Sequence, residues 1–203
     1  MNFNFINWVE YIGTFAFAIS GVRMAAQQRF DWFGAYVVGF ITAVGGGTIR
    51  DLLLDLPPFW MNTGSYLLCT AAAFLCVIVF KKQIEKVSRT IFIFDTIGLC
   101  LFVVVGIEKT LELNLYPFWL AIIMGSITGA AGGILRDVLL NIEPLIFRKE
   151  IYASVCVIGG IVYWLCSIAG LNTMLTQALT ATCIFAIRFF AVKYKIGLPL
   201  MKD

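Results

Sequence analysis

Two short blocks carry the most chemistry in this sequence. Gly45-Gly46-Gly47-Thr48-Ile49-Arg50-Asp51 and Gly132-Gly133-Ile134-Leu135-Arg136-Asp137 each set glycines just ahead of an adjacent guanidinium and carboxylate, inside long apolar runs. A glycine costs about 1 kcal/mol relative to alanine within a helix. Several in a row at membrane depth therefore weaken the helix where backbone groups must be satisfied by protein or water. One reading is a helix broken or kinked at Gly45, Gly46 and Gly47, and again at Gly132 and Gly133, with freed carbonyls and amides facing a wet cavity. Such half-helix ends suit ions. The plainer reading is close helix packing through small residues. The kink is the expectation adopted here. Thr48-x-x-Asp51 resembles a capping box restarting the helix, whereas Ile134 stands at that place in the second block and implies a gentler bend.

The charges follow directly. Arg50, Asp51, Arg136 and Asp137 each cost about 2.5–3.5 kcal/mol to place in a membrane helix, so they must face the protein interior or water. Neighbouring residues on a helix do not face each other. Arg50 is therefore expected to find its partner on another helix, in the other half of the chain, rather than at Asp51. Two roles stay open for these residues: lining a conduction path, or stapling helices. Glu10 and Asp95 form a second pair of acids, and a carboxylate can attract and partly dehydrate a cation. Glu10 reads equally as an interfacial acid at the membrane surface, while Asp95 follows the apolar run Ile91-Phe92-Ile93-Phe94. Ser20, Thr42, Thr48, Ser126 and Thr128 offer neutral oxygens, although such hydroxyls often bond back to their own helix.

These residues need elements to position them. The chain is 61% hydrophobic and 13% charged, against about 25% charged for a soluble domain; lipid must cover its outside. A spanning helix needs about 17–25 mostly apolar residues, and seven segments qualify: 5–22, 33–55, 64–80, 91–107, 116–141, 151–170 and 173–192. The first residues carry no positive charge, so the first run is expected to stay as a membrane helix rather than be cleaved. Arg23, Arg29, Lys81, Lys82, Lys86, Arg89, Arg148, Lys149, Lys193, Lys195 and Lys202 fall on one side of such a chain, and little beyond Lys109 falls on the other. The positive-inside rule then puts the N-terminus outside and the C-terminus in the cytoplasm. Trp8, Trp32, Trp60, Trp119 and Trp164 mostly flank the spans as an interfacial belt. There is no His, and the six Cys show no metal-ligand spacing. No enzyme, cofactor or structural metal is expected. Lys and Arg are too scattered for nucleic acid.

An internal repeat organises the spans. Gly39, Thr42, Gly46, Gly47, Arg50 and Asp51 recur 86 residues later as Gly125, Thr128, Gly132, Gly133, Arg136 and Asp137. Glu10, Gly13 and Gly21 recur 85 residues later as Asp95, Gly98 and Gly106, while Pro58 and Tyr66 recur as Pro144 and Tyr152. Each copy holds three helices, an odd number, so the copies must be inverted. The fold expected is an all-α integral membrane protein of seven transmembrane helices. Repeat one covers 5–80, a connecting loop 81–90 and repeat two 91–170; the unpaired seventh helix is 173–192, and helices two and five are kinked at glycines.

The doubled Gly-Gly-x-x-Arg-Asp block on two three-helix repeats, with a seventh helix added, resembles the trimeric intracellular cation channel (TRIC) family and its prokaryotic relatives, over about residues 5–192. The resemblance implies a homotrimer in the lipid bilayer, with a pore in each protomer between helices one, two, four and five that conducts K+ and Na+. It assigns Gly45, Gly46, Gly47, Gly132 and Gly133 to the pore-shaping helices. Animal members carry a Lys-Glu-Val motif in the fifth helix; the stretch Ile127 to Ala131 has neither Lys nor Glu, so that regulation does not carry over. A plasma (inner) membrane protein of a prokaryote is expected. A secondary transporter of a small solute such as glycine, and a non-conducting scaffold, are the competing functions.

Overall fold

A computed structural model describes residues 5–80, 90–148 and 151–197. Most of the connecting loop lies outside these residues. So do Lys81, Lys82, Lys86, Arg89, Lys149 and Lys202, which carry much of the expected charge asymmetry. Among the described residues seven α-helices follow one another: α1 (Phe5–Gln27), α2 (Trp32–Leu53), α3 (Ser65–Val79), α4 (Thr90–Glu112), α5 (Phe118–Leu139), α6 (Ala153–Ile168) and α7 (Thr173–Tyr194). Short 3₁₀ turns, Phe59–Met61 and Leu145–Phe147, precede α3 and α6. Five helices are long and apolar enough to cross a membrane, while α3 and α6 are shorter apolar helices of 15 and 16 residues.

The spans agree with the hydropathy reading except that α1 and α4 run on to Gln27 and Glu112. A hydropathy reading stops at charge. These helices continue because Arg23, Glu108 and Lys109 stay partly or wholly inside the protein.

Four helices form the centre. α1 packs on α2 and α4, and α5 packs on the same two. α3 leans on α1, whereas α7 takes up part of the corresponding position beside α4, with α6 against α5 and α7. The seventh helix thus breaks the symmetry of the repeats. The two copies are nonetheless inverted in their chemistry: Glu10 meets Lys109 at one end of α4, while its counterpart Asp95 sits near the other end of that helix. Fourteen residues of rise separate the two clusters, about 21 Å.

The glycines do not break their helices. α2 and α5 are continuous α-helix through Gly45, Gly46 and Gly47 and through Gly132 and Gly133. They are instead the points where backbones touch. A Cβ on Gly46 would strike the Thr128 carbonyl, and one on Gly132 would strike the Thr42 carbonyl. These contacts exchange under the 86-residue offset, so α2 and α5 cross on the pseudo-twofold axis. The same device recurs where Gly21 meets Gly39 and Gly106 meets Gly125. Without a hydrophobic drive in lipid, such close approach is what holds membrane helices together. The expected capping box is absent: Thr48 Oγ1 donates to the Val44 carbonyl at 2.8 Å, as a mid-helix hydroxyl does.

Gly46→Ala should therefore cost about 1–3 kcal/mol through forced separation of α2 and α5. Gly64→Ala, with open space around it, should change stability by less than about 0.5 kcal/mol. Thermal unfolding of the two purified variants in one detergent checks this.

Candidate functional site

Both pore-helix candidates end the same way. Asp55 and Asn141, 86 residues apart, adopt left-handed φ values of 57° and 53°. The next amides, Leu56 N and Ile142 N, donate back to the Asp51 and Asp137 carbonyls at 2.8 and 3.0 Å. This is a Schellman-type stop, and it turns the chain back toward the helix. There Asp51 Oδ2 accepts from Phe59 N at 2.8 Å, and Asp137 Oδ2 accepts from Leu145 N at 3.1 Å. Each aspartate captures the first amide of its 3₁₀ turn.

The other oxygen of each aspartate pairs with the arginine beside it, contrary to the sequence expectation. Arg50 donates to Asp51 Oδ1 through Nε at 2.8 Å and Nη2 at 2.7 Å. Arg136 Nε and Nη2 lie 2.9 Å from Asp137 Oδ1. The Cβ atoms of helical neighbours do diverge. A long guanidinium stem closes that gap when the carboxylate is held beyond the last turn by its other oxygen. Both pairs are buried.

At one end, Arg136 Nη1 continues to Asp95 Oδ1 at 2.6 Å and to Ser20 Oγ at 2.8 Å. Asp95 Oδ2 accepts from Arg188 Nη1 at 2.8 Å. The result is a chain Asp137–Arg136–Asp95–Arg188 linking α5, α4 and α7, with Ser20 tying it to α1. Arg188 lies over the rings of Tyr152 and Phe92 at 4.7 and 5.2 Å. Together with Arg148, these charges line a cavity of about 300 Å³. This is the basic end.

At the other, acidic end, Glu10 is buried (2% exposed) rather than interfacial. Its Oε1 meets Lys109 Nζ at 2.5 Å, and its Oε2 accepts from the Tyr66 hydroxyl at 2.7 Å. Phe59 packs edge-on to Tyr66, Tyr11 stacks on it, and Lys109 Nζ lies 5.0 Å from the Phe59 ring centre. Glu108 is held by the Tyr163 hydroxyl and by Gln177 Nε2.

The remaining hydroxyls stay on their own helices. Thr42 and Thr128 each donate to the carbonyl four residues back at 2.6 Å, and Ser126 does so at 2.9 Å. Thr48 also accepts from Trp60 Nε1 at 3.0 Å, so Trp60 is an internal partner rather than a belt residue. Trp8, Trp32, Trp119 and Trp164 are exposed, as a belt requires. Sequence reasoning missed Arg188, Lys109, Tyr66 and Tyr152 as parts of these clusters. The tyrosines were flagged by the repeat alone; the signal that could have found Arg188 is its place as a charge deep in the last apolar run.

Comparison with known proteins decides the family. Residues 7–82 and 92–167 each match the family described as "Glycine transporter". The UPF0126 inner membrane protein YadS of Escherichia coli is 40% identical over 96% of this chain and 95% of its own length. The UPF0126 membrane protein of Vibrio cholerae is 37% identical over 94% of this chain and 80% of its own length. The solved structure of the TRIC orthologue from Rhodobacter sphaeroides is 30% identical, covers 94% of this chain and 98% of its own, and superposes with a TM-score of 0.88. A prokaryotic TRIC channel solved in 0.5 M KCl is 30% identical, with 95% and 98% covered and a TM-score of 0.85. This chain belongs to the TRIC family, in its prokaryotic branch with the doubled glycine-rich domain. The family is one of channels, not enzymes, and its repeated helical membrane fold matches the architecture described above.

Asp95→Asn would leave Arg136 and Arg188 buried without their shared counter-charge, and should cost about 3–5 kcal/mol. Thermal unfolding of the detergent-solubilised variant beside wild type measures it.

Proposed function

We propose that the protein is a monovalent cation channel, conducting K+ and Na+ through a pore in each protomer of a homotrimer in the inner membrane. The path runs between α1, α2, α4 and α5. The single observation that supports it best is the arrangement of that four-helix centre. Its two glycine helices cross at the axis, and a charged cluster stands at either end along α4. Charged side chains buried at membrane depth are expensive, and they commonly mark ion pathways. The Rhodobacter sphaeroides relative above is described as an orthologue of a trimeric intracellular cation channel, which favours the same reading. Asp95, Arg136 and Asp137 at one end, and Glu10, Arg50 and Asp51 at the other, then set the field along the path, with Gly45, Gly46, Gly47, Gly132 and Gly133 fixing the crossing that shapes it. Ser20 is the one candidate hydroxyl tied to a charge from another helix; Thr42 and Thr128 stand at the crossing, and Thr48 and Ser126 bond back to their own helices. The two family matches, 7–82 and 92–167, support repeats of 5–80 and 91–170 with α7 appended. The acidic end faces outside and the C-terminus the cytoplasm, in keeping with the excess of Lys and Arg on that side.

A second reading, secondary transport of a small solute such as glycine, is favoured by the description of the matching family; inverted repeats also suit alternating access.

Recording from the purified protein in planar bilayers separates the two. Under a KCl gradient, discrete unitary currents that reverse near the K+ equilibrium potential are expected. Saturable glycine uptake into proteoliposomes without unitary currents would sink the channel.

A further inference from the structure

The two charge clusters occupy equivalent places in the repeats but are built differently. Asp95 is held by two guanidiniums, Arg136 and Arg188, both of them buried. Glu10 is held by one ammonium, Lys109, whose side chain is 23% exposed. The arginine equivalent to Arg136, Arg50, does not close on Glu10: it is fully buried, and its Nη1 has no hydrogen-bond partner among the described residues. Glu10 has therefore taken a compact cation in place of the arginine that the repeat supplies.

The surroundings of that ammonium are those of a cation site. A carboxylate oxygen sits at 2.5 Å and an aromatic face at 5.0 Å. The Tyr66 hydroxyl spends its proton on the other oxygen of Glu10, which orients the carboxylate without competing for Oε1. Carboxylate plus aromatic face is a recurrent way to hold a small cation. An ammonium is a compact point charge, close to an alkali cation in what it asks of its ligands, whereas a guanidinium is a planar fork. Glu108 and Glu112 stand one residue before and three residues after Lys109. Negative charge at this end thus exceeds what Lys109 and Arg50 offset among the described residues.

We propose that Glu10, with the Phe59 face, is a binding site for a permeating monovalent cation, and that the Lys109 ammonium is its tethered occupant. An incoming K+ must displace Lys109 toward solvent to take the Glu10 carboxylate. Lys109 thereby sets the rate and concentration dependence of entry at the acidic end. This rests on the channel reading for its consequence, though not for the site itself.

The test uses full-length protein bearing Lys109→Met, with Lys109→Gln made in parallel in case one of them fails to fold. Thermal midpoints are measured as KCl replaces N-methylglucamine chloride at constant ionic strength. The wild-type midpoint should stay flat. That of the variant should rise by about 3–5 °C by ten times its half-saturating KCl, and the rise should vanish in Glu10→Gln/Lys109→Met. In bilayers, the variant's unitary current at low KCl should be severalfold larger than wild type. A variant whose midpoint ignores K+ overturns the proposal and indicates that Arg50 has taken the carboxylate. A K+ response that survives in the double variant overturns it too. Wild-type cation currents left unchanged by Lys109→Met sink the tethered occupant while leaving the channel standing. K+-dependent stabilisation of the variant, in a protein that passes no current, keeps the site and removes the channel.

Discussion

Charge inside a membrane protein must be answered within the protein, and the rest of this structure is arranged around that constraint. Lipid offers neither counter-ions nor hydrogen bonds, so the buried acids Asp95 and Glu10 collect their partners from several helices. Asp95 draws together α4, α5 and α7; Glu10 draws together α1, α3 and α4. Because each acid needs partners from different helices, the clusters also fix how those helices sit against one another. At these positions the contacts that satisfy the charges are also the contacts that staple the helices.

The aspartates at the ends of α2 and α5 show how local chemistry becomes tertiary structure. Each stops its helix, captures the amide of the following 3₁₀ turn and clamps the arginine beside it. The left-handed residues that make the stop, Asp55 and Asn141, belong to the residue types that tolerate such φ values best after glycine. With this arrangement duplicated, the guanidiniums lie at opposite ends of the helix crossing, which is what an inverted repeat requires. The seventh helix then makes the halves unequal. By delivering Arg188 to Asp95 it gives that acid two buried guanidiniums, while Glu10 at the acidic end is left with one lysine at the edge of solvent.

The glycines carry a different lesson. Their cost within a helix suggested a break or a kink; the observed helices are unbroken, and the same residues give α2 and α5 backbone-to-backbone contact at Gly46 and Gly132. Packing gains at a crossing outweigh the weak intrinsic preference of each glycine when both helices present one at the same level. One sequence shows that small residues are present. It does not show that Thr128 stands opposite Gly46.

Composition and spacing alone determined the membrane class, the number of helices, the duplicated block and the acids that matter, because hydropathy and exact repetition are properties of order along the chain. They also placed Arg50, Asp51, Arg136 and Asp137 among the residues that had to be buried and answered, and marked Asp95 and Glu10 as a second pair of acids. Which group answers each was decided only by the fold. Arg188 and Lys109 lie 93 and 99 residues from the acids they meet, and no local rule spans that distance. The neighbouring Arg–Asp pairs depend on where each aspartate's second oxygen is held, which the chain settles only after it has turned back on itself.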